Sequence, residues 1–242
     1  MNNRSDSSEV KIKSRQGIKI FVAGDSTAAD KQPDKRPETG WGQVIGRFFN
    51  EDVQIRNYAI NGRSSKSFVD EGNLKEIAAE IGENDYLFIQ FGHNDEKDVV
   101  KLHTDPQRTF KQCLAEYVTC ARIAKAFPVL LTPVQRRFFN EQGGIVNTHG
   151  QYPAAMRELA REMQVPLLDL SEVSKNFFES LGDEESKRIF LWLKPGESPN
   201  YPEGVQDNTH FCEYGAIEIA RLIIEEIRKV DGLKDLTLRF KK

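Results

Sequence analysis

"FVAGDST", Phe21 to Thr27, sets apolar residues directly against a small polar turn that holds two hydroxyls and a carboxylate. With the residues before it, the run reads "IKIFVA" from Ile18, hydrophobic nearly throughout, as in a strand inside a sheet covered on both faces. Such a strand ends at an exposed rim. Gly24 permits a tight backbone there. Ser26 is then presented at the carboxyl end of the strand, where open α/β sheets place their ligands, and it is a seat for a nucleophile. On Gly-Asp-Ser-Thr alone, a plain loop with a helix N-cap is an equal reading.

Four more apolar runs of strand length follow: "VQIRNYAI" from Val53, "DYLFIQFG" from Asp85, "FPVLLTPV" from Phe127 and "VPLLDL" from Val165. Helix-length sequence separates them, so the expected fold is a doubly wound α/β structure with a five-stranded parallel sheet. In "DPQRTFKQCLAEYVTCARIAK", Asp105 reads as an N-cap and Pro106 as the first helical residue. From Glu213 to Val230, Ala216, Ala220, Ile223, Ile224 and Ile227 form one stripe that Asp231-Gly232 ends. "LWLKPGESPNYPEGVQDN", 191 to 208, reads as the longest irregular region, and such loops are often functional.

The chain of 242 residues, 38% of them hydrophobic, is long enough to bury a full core, and a single domain over 17–242 is expected after a polar, flexible segment 1–16. Its 34 basic and 37 acidic residues give no general positive field, which argues against nucleic acid as a partner. No apolar stretch reaches membrane-spanning length, and "MNNRSDSSEVKIKSRQG" shows no signal peptide. No membrane partner and a cytoplasmic location are the expectations. Cys113, Cys120 and Cys212 lack metal-site spacing. The first two lie about 10 Å apart along a helix, too far for a disulfide, which fits a reducing compartment.

Three further stretches fall where this topology exposes them beside Ser26. "NYAINGRSS" offers Gly62, whose backbone N–H can approach a substrate. "QFGHND" offers the Asn94 amide with its two donors. "DNTH" lies in the expected loop before the last helix, with Asp207 and His210 three apart in a turn. These are the parts of an acyl-transfer site: Ser26 attacks, His210 moves the proton, Asp207 fixes the ring, and the N–H of Ser26, the N–H of Gly62 and the Asn94 amide form an oxyanion hole.

Taken together, "GDST", "GRS", "GHND" and "DNTH" resemble the four blocks of the SGNH (GDSL-like) hydrolases. "TGWGQ", "THGQYPAAMRELA" and "DNTHFCEYGA" are similar to the rhamnogalacturonan acetylesterase branch. The resemblance implies a flavodoxin-like three-layer α/β/α fold, the triad Ser26, Asp207 and His210, no cofactor and no metal. It also implies removal of acetyl groups from pectic oligosaccharides, and with no leader evident the expected substrates are imported fragments.

Other polar residues admit two readings each. Trp41 stacks on a sugar or is a buried ring; Arg63 holds a galacturonate carboxylate or is a solvated loop charge. His149 contacts sugar or shapes a turn. His93 with Asp95 has the look of a metal pair without further ligands, and His103 reads as solvated. Cys212 has no assigned role beyond a rival thiol nucleophile. Another carbohydrate acetylesterase, of the xylan type, and a lipase- or thioesterase-like hydrolase with the same triad are the rival functions; a nucleotide-binding module lacks the phosphate-loop patterns.

Overall fold

The five apolar runs form β1 (Ile18–Gly24), β2 (Val53–Asn57), β3 (Tyr86–Gln90), β4 (Phe127–Leu131) and β5 (Leu167–Leu168) in a computed structural model that describes residues 17–241. The expectation for 1–16 lies outside the described residues. All five strands pair in parallel in the order β2-β1-β3-β4-β5, the flavodoxin-like winding.

Alternation along the strands splits the core in two. Ile18, Ile20 and Val22 of β1, Phe88 of β3 and Val129 of β4 face one cluster; Phe21, Ala23, Leu87, Ile89 and Leu130 face the other. In chain order the α-helices are α1 (Trp41–Val44), α2 (Ser65–Asp70), α3 (Asn73–Glu80), α4 (Lys111–Ile123), α5 (Tyr152–Met163), α6 (Leu170–Ser186), α7 (Glu213–Lys229) and α8 (Lys234–Thr237). Residues of α1, α6 and α7 fill the first cluster, and those of α2 to α5 fill the second. The sheet is thus the middle of three layers, which explains why its strands are apolar on both faces. Asp105 caps as expected, its Oδ1 accepting from the N–H groups of Gln107 and Arg108. The stripe on α7 is buried at each of its five expected positions.

The region 191–208 departs from expectation. It belongs to an antiparallel hairpin of β6 (Phe190–Leu193) and β7 (Val205–Phe211). Phe190 and Phe211 anchor it in the first core cluster, their ring centroids 5.5 Å apart. "DNTH" therefore lies on β7 and not in a loop. Phe190 pairs with Phe211 and Trp192 with Gln206, so five residue steps on β7 oppose two on β6, and 207–210 bulge out of the ladder. Bulges re-aim side chains in this way next to active sites. Among the described residues no helix is long and apolar enough to cross a membrane.

Candidate active site

Between Phe21 and Ala29 only Ser26 is not buried. The turn that presents it is built by its neighbour. Asp25 is fully buried, its Oδ1 accepts from Thr27 N–H at 2.9 Å and Thr27 O–H at 2.8 Å, and its carbonyl accepts from the N–H groups of Ala28 and Ala29. Capping of this turn thus falls to Asp25, which leaves the Ser26 hydroxyl free. A Cβ on Gly24 would stand 3.2 Å from the Gln90 carbonyl and 3.3 Å from the Ala28 Cβ, so any larger residue would push the turn away from β3 by a few tenths of an ångström.

The bulge on β7 delivers the other two groups. His210 Nε2 lies 2.8 Å from Ser26 Oγ, and His210 Nδ1 lies 2.7 Å from Asp207 Oδ2. Asp207 Oδ1 accepts from the N–H groups of Thr209 at 2.6 Å and His210 at 2.9 Å, so the three-residue turn expected from the spacing survives inside the strand. Partial burial works against the Asp207 charge, but the His210 ring and these N–H groups outweigh it and hold the carboxyl down at about 2. An ionised carboxylate only accepts, so Nδ1 carries the ring proton and Nε2 is left to accept from Ser26. Asn208 pins the bulge: its Oδ1 accepts from Arg137 Nη1 at 3.0 Å and Trp192 Nε1 at 2.9 Å, and its carbonyl from Arg137 N–H.

Two loops bring the expected oxyanion donors. Gly62 has φ of +75°, the left-handed region that glycine enters without strain. The N–H groups of Ser26 and Gly62 donate to no group among the described residues. Asn94 is buried, with Nδ2 donating to the Arg63 carbonyl at 2.9 Å and Oδ1 accepting from Lys97 Nζ at 2.7 Å. An ammonium only donates and a carbonyl only accepts, so the orientation of this amide is fixed and one Nδ2–H remains.

The expected substrate contacts fare worse. Trp41 is fully buried with its indole N–H on Gln90 Oε1 at 2.6 Å, so it cannot stack on a sugar. His149 is also fully buried, Nδ1 against Glu96 Oε2 at 3.1 Å and Nε2 against the Val134 carbonyl at 2.9 Å, which leaves no edge for a ligand. Arg63 is half-buried; its Nε is spent on Glu71 at 2.8 Å and one Nη1–H on the Asn61 carbonyl at 3.0 Å, so part of the fork expected for a substrate carboxylate is already engaged. His93 Nδ1 faces Asp25 Oδ2 at 3.0 Å, while the Asp95 carboxylate accepts from Ser65 and Thr104. These two residues turn to different partners and do not form a metal pair. His103 is exposed. Burial pushes the Cys212 thiol up, and its Sγ sits 3.1 Å from the Arg188 carbonyl, which suits packing at the head of α7 better than attack.

Sequence reading overlooks Asp25, Lys97, Glu96 and Arg137. Asp25 and Glu96 stand inside or beside motifs already singled out for a neighbour. Arg137, in "VQRRFFN", carries no local signal at all, because its partners are on β7 and at the end of α6.

A serine hydroxyl, an imidazole and an ionised carboxylate in one hydrogen-bonded line, on the carboxyl rim of a doubly wound sheet, are the arrangement of a serine hydrolase. The chain belongs to the GDSL-like Lipase/Acylhydrolase family, which residues 22–211 match. It is 50% identical to rhamnogalacturonan acetylesterase RhgT of Bacillus subtilis over 91% of this chain and 94% of that one. It is 41% identical to a probable rhamnogalacturonan acetylesterase, YesY, of the same organism, over 87% and 93%. The crystal structure of YxiM of Bacillus subtilis superposes with a TM-score of 0.76 at 27% identity, covering 88% of this chain and 56% of that longer one.

Proposed function

We propose that this protein is a serine esterase that removes acetyl groups from acetylated rhamnogalacturonan oligosaccharides, through an acetyl-enzyme on Ser26. The observation that carries the chemistry is the line from Ser26 Oγ through His210 to Asp207, with its two short bonds of 2.8 and 2.7 Å. The substrate class rests on the two relatives of 50% and 41% identity.

In this reading Ser26 Oγ attacks the acetyl carbonyl carbon as His210 Nε2 takes the hydroxyl proton. The resulting imidazolium is stabilised by Asp207. The oxyanion is met by the N–H groups of Ser26 and Gly62 and by the free Nδ2–H of Asn94. Collapse breaks the bond to the sugar oxygen, which leaves with the proton from His210. Water, deprotonated by the same imidazole, then attacks the acetyl-enzyme and releases acetate.

The test is acetate release from acetylated rhamnogalacturonan fragments, acetylated xylo-oligosaccharides and a long-chain p-nitrophenyl ester. The pectic fragments are expected to give the highest kcat/KM. A preference for the xylan fragments or the long-chain ester would replace this substrate assignment while leaving the chemistry standing.

A further inference from the structure

Two of the three amides assigned to the oxyanion hole share a feature: each carries a cation on its oxygen. In the peptide that joins Asn61 to Gly62, Arg63 Nη1 donates to the carbonyl at 3.0 Å. In the Asn94 side chain, Lys97 Nζ donates to Oδ1 at 2.7 Å. The C=O and N–H of a trans peptide point in opposite directions, so a donor fixed on the Asn61 oxygen also aims the Gly62 N–H. Asn61 is gripped a second time, since its Oδ1 accepts at 2.7 Å from Lys31, a buried ammonium paired with Glu38.

We propose that Arg63 and Lys97 are positioning residues that aim and polarise the Gly62 N–H and the Asn94 Nδ2–H for the oxyanion. A cation at the carbonyl end draws electron density toward itself and leaves the N–H end more positive, so the hydrogen bond made there is strengthened. The gain is larger for the transition state than for the bound ester, because full charge develops on the oxygen only then. The two cations are not equal. Arg63 is offset by Glu71 at 2.8 Å, whereas Lys97 has no carboxylate within 4.0 Å among the described residues. Lys97 is exposed, so water screens it in part, but no carboxylate neutralises it, and it is ranked above Arg63 on that ground.

This inference rests on the proposed role of Ser26, and its test separates the two. Wild type, Ser26→Ala, Lys97→Met, Lys97→Arg and Arg63→Met are assayed on p-nitrophenyl acetate, a neutral ester on which no recognition of substrate charge can act. Active sites are counted with a serine-directed phosphonate, so a partly misfolded preparation does not lower the measured kcat. Lys97→Met is expected to lose about tenfold in kcat with KM within about twofold, and Arg63→Met somewhat less. Lys97→Arg restores most of the rate, since a guanidinium reaches the same oxygen. The rate of phosphonate inactivation falls with kcat, because its phosphoryl oxygen occupies the same donors. An unchanged kcat for Lys97→Met beside a dead Ser26→Ala overturns this inference alone, as does a loss seen only on uronate-bearing substrates or one that arginine does not rescue. Activity retained by Ser26→Ala overturns the reading beneath it.

Discussion

The molecule contains two aspartate–histidine pairs built nearly alike. In each, an ionised carboxylate accepts from backbone N–H on Oδ1 and faces imidazole Nδ1 with Oδ2, at 3.0 Å for Asp25 and His93 and 2.7 Å for Asp207 and His210. Both carboxyls are held at about 2. What separates them is the second ring nitrogen. His210 presents Nε2 to Ser26, and its side chain is 28% exposed. His93 is buried, with its ring edge-on to the His149 ring at 4.6 Å. In the proposed mechanism the open dyad relays a proton to and from Ser26; the buried one, its ring sealed against His149, is read as a rivet. The rivet has a definite place: Asp25 precedes Ser26 and His93 precedes Asn94, so their bond joins the turn of the proposed nucleophile to the turn of a proposed oxyanion donor.

The largest effect that this contrast predicts is at the open pair. Ser26→Ala and His210→Ala should each lower kcat by about 10⁵ to 10⁶, while melting stays close to wild type because neither residue is in the core. Acetate release measured beside thermal unfolding checks both halves. Retention of more than a few per cent of activity by either variant, or phosphonate labelling on Cys212, would break the assignment of the open pair as the relay.

A sharper test makes one substitution in both places. In Asp207→Asn the amide oxygen keeps the backbone N–H groups, so its NH₂ faces His210 Nδ1 and the ring must move its proton to Nε2. That nitrogen then cannot accept from Ser26, and kcat should fall by about 10⁴. In Asp25→Asn the oxygen keeps Thr27, the NH₂ faces His93, and His93 undergoes the same change of tautomer. No proton transfer passes through His93, so the loss should stay within about tenfold. Equal losses in the two variants would show that the sealed pair takes part in the chemistry.

How much of this was legible in the sequence follows from the range of the interactions. The strands were readable because burial on both faces writes itself into consecutive apolar residues, and α4 and α7 because caps and stripes are local. Ser26, Asp207 and His210 were readable as blocks, although "VQDNTHF" has no strand alternation, since its bulge breaks the two-residue period that marks a strand. The fates of Trp41 and His149 depend on Gln90 and Glu96, both more than forty residues away. A motif states which group is present, not which way it turns. The bond between Asp25 and His93 spans 68 positions and was invisible for that reason.

If the sealed pair is a rivet, cutting it should cost stability before it costs chemistry. His93→Ala leaves the Asp25 carboxylate buried with only its Thr27 contacts, and breaking a buried pair in this way costs about 3 kcal/mol. Denaturant unfolding measures the loss, and kcat per titrated active site should fall much less than in Asp207→Asn. A variant as stable as wild type would mean that the two turns are held together by the surrounding packing alone.

The smallest expected effect separates the charge of Asp25 from its shape. Full burial opposes ionisation of this carboxyl, yet the His93 ring and Thr27 outweigh it and bring it from the ordinary 3.8 to about 2. A carboxyl depressed on folding contributes stability that is present above its unfolded value and is lost as pH falls through the folded one. The contribution is about 2 kcal/mol at neutral pH. Asp95, also fully buried, works in the opposite sense: burial raises it to about 7, so its share of stability declines as pH climbs from about 4 toward 7. Raw acid unfolding would mix the two. The difference between wild type and Asp25→Asn removes most of the Asp95 contribution, since both chains keep that residue; the part of its rise that the Asp25 charge supplies remains as a shallow slope between pH 4 and 7. Below that slope the difference should shrink steeply between pH 4 and 2, followed by urea midpoints at each pH. A difference that stays constant to pH 2 would show that Asp25 holds the turn through its hydrogen bonds alone, with no contribution from its charge.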